Sequence, residues 1–119
     1  MLRSAFVIAL AIGAFGAAQA QRTLEQVESS FEIPLALAVL PAGGVGNVSF
    51  KTCDTCTSYS RLLGPSTHFF VSGREVAAAD FVVAANDMRK METANRRALL
   101  MLYVDIKTQQ VNRAAVFGP

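Results

Sequence analysis

The sequence has little of what most active sites are built from. It contains a single histidine, His68, and only two cysteines among its 119 residues. A Ser-His-Asp hydrolase triad would have to use His68, and no serine lies in the glycine-flanked pattern of a nucleophile elbow. The glycines within 43–46 lack the spacing and the following lysine of a phosphate-binding loop. The sequence therefore shows no catalytic constellation and favours a protein that binds over an enzyme.

An excess of one charge is also missing. Eleven Lys and Arg residues face nine Asp and Glu residues, which gives a formal net charge of +2. Nucleic-acid binding requires clustered positive charge, and this near-neutral balance does not supply it. The sequence has neither an internal repeat nor a low-complexity segment. We therefore expect no nucleic-acid partner and no repeat architecture.

The longest apolar run lies at the amino terminus. Arg3 precedes an uncharged stretch whose apolar part, 5–18, has about the length of a signal-peptide core. That part is shorter than the ~20 apolar residues that cross a bilayer as a helix. Ala18 and Ala20 put small side chains at the two positions that a signal peptidase recognises. We predict cleavage after Ala20 and export, to the periplasm rather than to the medium.

The rest of the chain fits one small domain. No second hydrophobic run follows, so we expect no membrane span in the mature chain. An uncleaved membrane anchor is the alternative to a signal peptide, but Gly13 and Gly16 weaken a long helix. We divide the sequence into a signal peptide at 1–20, a polar arm at 21–30 and a single domain at 31–119.

Side chains in the first half of the domain recur with a period of two, which is typical of strands. The first predicted strand is 33–39, in which Ile33, Leu35, Leu37 and Val39 share the covered face. Because proline cannot donate to a ladder, Pro34 directs this strand to a sheet edge or marks its beginning. A glycine-rich turn and a second strand near 48–50 complete a hairpin. The next predicted strands are 57–63, with Tyr59 and Leu63 on one face, and 67–72, separated by a turn at 64–66.

The period then lengthens to that of a helix. Apolar side chains at 78, 81, 85, 88 and 91 follow steps of three or four and form one stripe along about four turns. An apolar run at 99–106 is typical of a strand buried on both faces, and 111–117 returns beside it. The predicted fold class is α+β, a mainly antiparallel sheet of short strands with one amphipathic helix packed on one face.

Cys53 and Cys56 form the motif with the most chemical character, and three interpretations compete. In the first they form a structural disulfide, as expected in an oxidising compartment. Since a disulfide needs Cα atoms within ~7 Å, the segment must then turn at Asp54-Thr55. In the second the pair cycles between dithiol and disulfide, although no cation or helix start is evident to activate a thiol. In the third Cys53, Cys56 and His68 bind zinc or copper(I), with a fourth ligand from elsewhere.

We therefore expect a small, soluble, exported envelope protein with a local disulfide that acts as a binding or interaction module. Its partner would be another envelope protein or a small ligand, and an exposed sheet edge at 33–39 is the expected contact surface. The alternative is a thiol-dependent redox or metal-handling protein that uses Cys53 and Cys56. The sequence indicates no cofactor.

Overall fold

The computed structural model describes residues 27–119, which contain one α-helix and seven strands. The strands are β1 (Glu28–Pro34), β2 (Ala38–Val39), β3 (Gly46–Phe50), β4 (Tyr59–Val71), β5 (Arg74–Val76), β6 (Leu99–Asp105) and β7 (Gln110–Phe117), and the helix α1 is Ala78–Met91. The α+β class predicted from the sequence is confirmed over this range. The signal peptide predicted at 1–20 and the arm residues 21–26 lie outside the described residues.

All seven strands belong to one sheet in the order β1-β6-β7-β4-β3-β2, with β5 paired to β4. Strands β4 and β7 run parallel, and the other pairings are antiparallel. The outermost strands, β1 and β2, are joined by a 3-10 turn of three residues at Leu35–Leu37. Because three residues reach only ~10 Å, the sheet curls until its two edges meet at this turn.

The segment predicted as one strand at 33–39 passes from one edge of the sheet to the other. Ile33 and Leu35 are fully buried beside β6. The 3-10 turn then shifts the alternation by one residue, so Ala38 is 3% exposed and Val39 is 67% exposed. The prediction that Val39 shares the covered face is wrong, because a 3-10 turn advances three residues per turn and breaks the period of two. The predicted hairpin is present as β2 and β3.

The turn predicted at 64–66 is an irregularity inside one long strand, β4. There the backbone N–H of Gly64 donates to the hydroxyl of Thr67 at 2.9 Å, and this hydroxyl donates to the carbonyl of Val111 on β7 at 2.6 Å. The side chain thus replaces ladder bonds where the register between β4 and β7 shifts. The two strands predicted on either side of 64–66 are therefore a single strand.

Helix α1 follows the predicted stripe for most of its length. Phe81, Ala85 and Met88 are buried, whereas Met91 at the helix end is 57% exposed and lies outside the core. The helix packs against β4 and against a 3-10 turn that ends at Gly44. A Cβ at Gly44, where φ is +88°, would lie 2.6 Å from the carbonyl oxygen of the first helical residue. This close approach requires glycine.

The core fills the inside of the curled sheet. Its largest fully buried side chains are Ile33, Leu35, Val48, Phe50, Leu63, Phe81, Leu100, Leu102, Val104, Val111 and Val116. In β6 the alternate residues Leu99, Met101 and Tyr103 are only half-buried. The prediction that this strand is buried on both faces is wrong, because the principal contacts of α1 are with β4 and the 3-10 turns.

Strand β1 begins at Glu28, so the last residues of the arm predicted at 21–30 belong to the sheet. The Glu28 carboxylate accepts hydrogen bonds from Asn112 at 2.9 Å and from Arg113 at 3.0 Å, both on β7. These contacts reach across β6, which lies between β1 and β7. They hold the start of β1 in place on the outer face of the sheet.

Candidate functional site

Cys53 and Cys56 lie in the loop that joins β3 to β4. They form a disulfide with their Cα atoms 5.0 Å apart, and the N–H of Cys56 donates to the carbonyl of Cys53 at 3.1 Å. This hydrogen bond closes the tight turn predicted at Asp54-Thr55. Cys53 is exposed and Cys56 is half-buried. The disulfide therefore braces a surface loop and does not fill the core.

His68 lies on β4, far from that loop. Its Nδ1 is 2.7 Å from a carboxylate oxygen of Glu75 on β5, and both side chains are exposed. Several residues of extended strand separate His68 from Tyr59, where β4 begins beside the loop. Within residues 27–119, no group of three or more His, Cys, Asp or Glu side chains is placed to hold a metal ion. The structure does not assemble the candidate ligand set of Cys53, Cys56 and His68.

Strand β1 presents an unpaired backbone edge. Among the described strands it pairs only with β6. The N–H of Ile106 donates to the carbonyl of Val27, and the N–H of Leu35 donates to that of Ala98, so the odd-numbered residues of β1 bond to β6. Because hydrogen-bonded pairs alternate along an antiparallel ladder, the even-numbered residues direct their N–H and C=O groups away from β6. We call these residues the free edge: Glu28, Ser30, Glu32 and Pro34.

Pro34 occupies a position where its missing N–H costs nothing. That N–H would point away from β6, so no ladder bond is lost. The free edge therefore offers backbone donors and carbonyl acceptors at Glu28, Ser30 and Glu32, because the carbonyl of Pro34, the N-cap of the 3-10 turn, accepts the first bond of that turn. The prediction that Pro34 marks an edge strand is confirmed by the strand order, although Pro34 lies at the end of β1 and not near the start of a strand at 33–39.

The outer face of β1 is acidic. The pKa of Glu28 lies below its ordinary value, chiefly because the Asn112 amide hydrogen bonds to the carboxylate, with a further contribution from the Arg113 guanidinium. Burial and the nearby Asp105 carboxylate act in the opposite direction. Glu32 is exposed, and within residues 27–119 it forms no ion pair. One carboxylate of the free edge is thus partnered and the other is available.

An arginine and three aromatic rings, which we call the Arg61 cluster, lie beside the disulfide loop. The ring centroids of Phe31, Phe50 and Tyr59 are separated by 5.1 to 5.7 Å. The guanidinium carbon of Arg61 lies 5.7 Å from the Phe31 centroid and 5.6 Å from the Tyr59 centroid. Because Phe31 comes from β1 and the others come from β3 and β4, the cluster ties the edge strand to the opposite wall of the sheet.

Sequence reasoning did not identify Arg61 as a site residue, although the signal is present. The predicted strand has Tyr59 and Leu63 on one face, and Arg61 lies between them with the same period of two. Phe31 carries no comparable signal, because the period of two was evident only from Ile33. A charged residue inside an otherwise apolar alternation is therefore the feature that would have found the cluster.

Comparison with known proteins finds no relative, since no protein-family model, no curated protein and no solved structure matches the chain. In the part of the chain that the structure describes, no helix has the length and apolar character needed to cross a lipid bilayer. The two candidate binding surfaces of the described residues are the free edge of β1 and the Arg61 cluster.

Proposed function

We propose that the protein is an exported, periplasmic binding module that takes up an extended segment of another protein as an added strand along the free edge. The observation that carries this proposal is the hydrogen-bond phase of β1, in which backbone groups of Glu28, Ser30 and Glu32 point away from β6. In strand addition, main-chain hydrogen bonds supply affinity and alternate side chains supply specificity. Export is supported by the signal-peptide pattern at 1–20.

A second copy of the chain fits the free edge poorly. Two β1 strands paired about a two-fold axis would present the same outer face, which carries Glu28 and Glu32. Four glutamates would then share one face of a short ribbon, and like charges across strands are destabilising. A segment with Lys or Arg opposite Glu32 would instead place opposite charges side by side. The proposed partner is therefore a basic extended segment of a different protein.

The disulfide helps to keep the free edge of β1 ordered. Tyr59 follows Cys56 closely in sequence, and its ring lies 5.6 Å from that of Phe31 on β1. Bracing the loop between Cys53 and Cys56 restricts the start of β4, and the ring contact transmits this restriction to the edge strand. An edge strand that is already ordered loses less conformational entropy when a partner binds.

A proline placed in the free edge tests the proposal. The N–H of Ser30 makes no bond to β6, so Ser30→Pro removes an edge donor and adds a ring that blocks an approaching strand. We expect Ser30→Pro to keep a melting temperature close to that of the native protein. We expect it to lose binding to peptides selected against the mature native protein from a random phage-displayed library. The control Ser30→Ala retains the N–H and should retain binding.

Amide hydrogen exchange gives a second readout on the native protein. Addition of a selected peptide should slow exchange at Ser30 and Glu32 by about tenfold or more, because their N–H groups become bonded. The N–H groups of Phe31 and Ile33 are already bonded to β6 and should change little. Equal peptide binding by Ser30→Pro, or protection confined to residues outside β1, would contradict strand addition.

Thiol-dependent redox function is the second candidate, and the exposure of Cys53 is the observation that favours it. A surface sulfur is accessible to an attacking thiolate. The surroundings are less favourable, because the α-helix of the described residues begins at Ala78 and no helix start activates either cysteine. Asp54 adds a negative charge between the two cysteines, which further disfavours a thiolate there.

A further inference from the structure

Arg61 points into the curled sheet. It pairs in register with Val48, just as Tyr59 pairs with Phe50, and both of these β3 side chains are buried. On β4 the residues Tyr59, Arg61 and Leu63 alternate onto this inner face, and Leu63 is fully buried. Arg61 therefore lies between Leu63, which is fully buried, and Tyr59, which is 37% exposed.

The charge of Arg61 has no carboxylate partner among the described residues. Its Nη1 donates to the carbonyl of the adjacent Ser60 at 2.8 Å, while its Nε is buried without an acceptor. The two ion pairs found within residues 27–119 involve other side chains. A buried donor left without an acceptor costs ~1–3 kcal/mol. A ligand from outside reaches the guanidinium at Nη2, which has no hydrogen-bond partner among the described residues and is not buried.

We propose that the Arg61 cluster binds the carboxylate of an organic acid with an apolar body. The planar guanidinium fork matches a carboxylate, which can accept two parallel hydrogen bonds from it. The rings of Phe31 and Tyr59 supply flat apolar surface beside the charge for the rest of the ligand. Arg61 is the one cation of the cluster, so a monoanion is better matched than a phosphate dianion. This site does not depend on strand addition at the free edge.

Arg113 is a matched control within the same chain. Its guanidinium carbon lies 4.1 Å from the ring centroid of Tyr103, so it also stacks on an aromatic ring. In contrast to Arg61, it is already paired with the carboxylate of Glu28 at 3.0 Å. If Arg61 served only to stack on rings, both arginines would respond alike to an added acid. The proposal requires a response from Arg61 alone.

The test is a titration of the mature protein followed by the Nε–H nuclear magnetic resonance signals of Arg61 and Arg113. The probes are 3-phenylpropanoate, N-acetyl-alanyl-phenylalanine and the neutral amide of each. We expect the Arg61 signal to shift and saturate with at least one carboxylate and with neither amide, while the Arg113 signal stays unchanged. A response to the small acid identifies a free organic acid as the ligand, and a response to the peptide acid alone identifies a chain terminus. Either response supports the site.

Variants of Arg61 give a second readout of the same site. We expect Arg61→Lys to weaken carboxylate binding by about tenfold or more, because an ammonium group lacks the fork, and Arg61→Gln to abolish it. Arg113→Lys should bind as the native protein does. Equal shifts with acids and amides, equal responses of the two arginines, or native affinity in Arg61→Gln would overturn the proposal. If Arg61→Gln does not fold, the titration of the native protein decides.

Discussion

At the scale of single residues, the hydroxyl of Thr67 takes over ladder bonds inside β4. Thr67→Val keeps the shape of the side chain but leaves the N–H of Gly64 and the carbonyl of Val111 without this partner. Because an unsatisfied buried group costs ~1–3 kcal/mol, we expect the free energy of unfolding to fall by about that amount in chemical denaturation. Thr67→Ser keeps the hydroxyl and should lose less than half as much. Equal losses in the two variants would contradict this role.

The same residue explains why the turn predicted at 64–66 is part of a strand. Glycine, proline and serine in succession are strong local turn signals, and no neighbouring residue argues against them. The contact that keeps this segment in a strand despite these signals is the hydrogen bond from Thr67 to Val111, which is 44 residues further along the chain. Just beyond, Phe69 is buried and His68 is exposed, which is the alternation expected of the strand predicted at 67–72, because this alternation depends only on neighbours in sequence.

The ionisation of Glu28 makes the stability of the fold at the start of β1 depend on pH. Its lowered pKa means that the carboxylate stabilises the fold at pH values above the unfolded-state pKa, and this stabilisation is lost as the pH falls through the folded-state pKa. Between about pH 6 and about pH 3, the native protein should lose more of its free energy of unfolding than Glu28→Gln, by less than ~1 kcal/mol because the pair with Arg113 is partly exposed. If the native protein and Glu28→Gln lost the same free energy of unfolding over this pH range, the Glu28 carboxylate would not stabilise the fold in this way.

At the scale of elements, the sequence predicts best where one period holds throughout. The apolar stripe predicted for the helix lies within α1. The short hairpin that follows β4 turns at Ser72 and Gly73, and both of these residues have a positive φ. The prediction for the segment 33–39 was wrong because its period of two does not hold throughout. Three residues of 3-10 turn invert the buried face, and Pro34, which directly precedes the turn, was interpreted as the sign of a sheet edge and not as a break in the strand.

The disulfide loop is the element whose role a redox titration decides. Since the loop between Cys53 and Cys56 is so short, chain-entropy arithmetic gives only about 2 kcal/mol of stabilisation. We expect a midpoint potential below about −300 mV, typical of a structural disulfide, when thiols are trapped by alkylation and counted by intact mass. Cys53→Ser combined with Cys56→Ser should fold with a modest loss of stability. A midpoint near about −200 mV or above would favour thiol chemistry over a structural staple.

At the scale of the whole molecule, the strand order was beyond sequence reasoning. The parallel pairing of β4 with β7 requires the chain to pass through β5, α1 and β6 before it returns. No local pattern encodes which of several apolar strands lies beside another. The meeting of β1 and β2 at one turn likewise follows from the curl of the complete sheet. The Arg61 cluster arises from this closure, because it joins residues of β1, β3 and β4.

At the same scale, the periplasmic part of the proposal depends on the predicted export of the chain. When the full chain is produced in a bacterial host, we expect the periplasmic fraction to contain a protein that begins at Gln21 and has no free thiol. Ala20→Leu puts a large side chain at the cleavage position and should leave an uncleaved precursor of higher mass. Ala17→Leu lies outside the two recognised positions and should be processed normally.

Two properties of the periplasmic sample, the residue at which the protein begins and its number of free thiols, distinguish removal of the signal peptide from the redox state of the compartment. Cleavage after Ala20 with Cys53 and Cys56 joined supports an oxidising compartment, in which the braced loop and the edge strand beside it are in their binding form. An uncleaved native chain would contradict the signal peptide. A cleaved chain with free thiols would contradict a structural disulfide in the periplasm, and the contact of Tyr59 with Phe31 would then have to hold β1 without help from the loop.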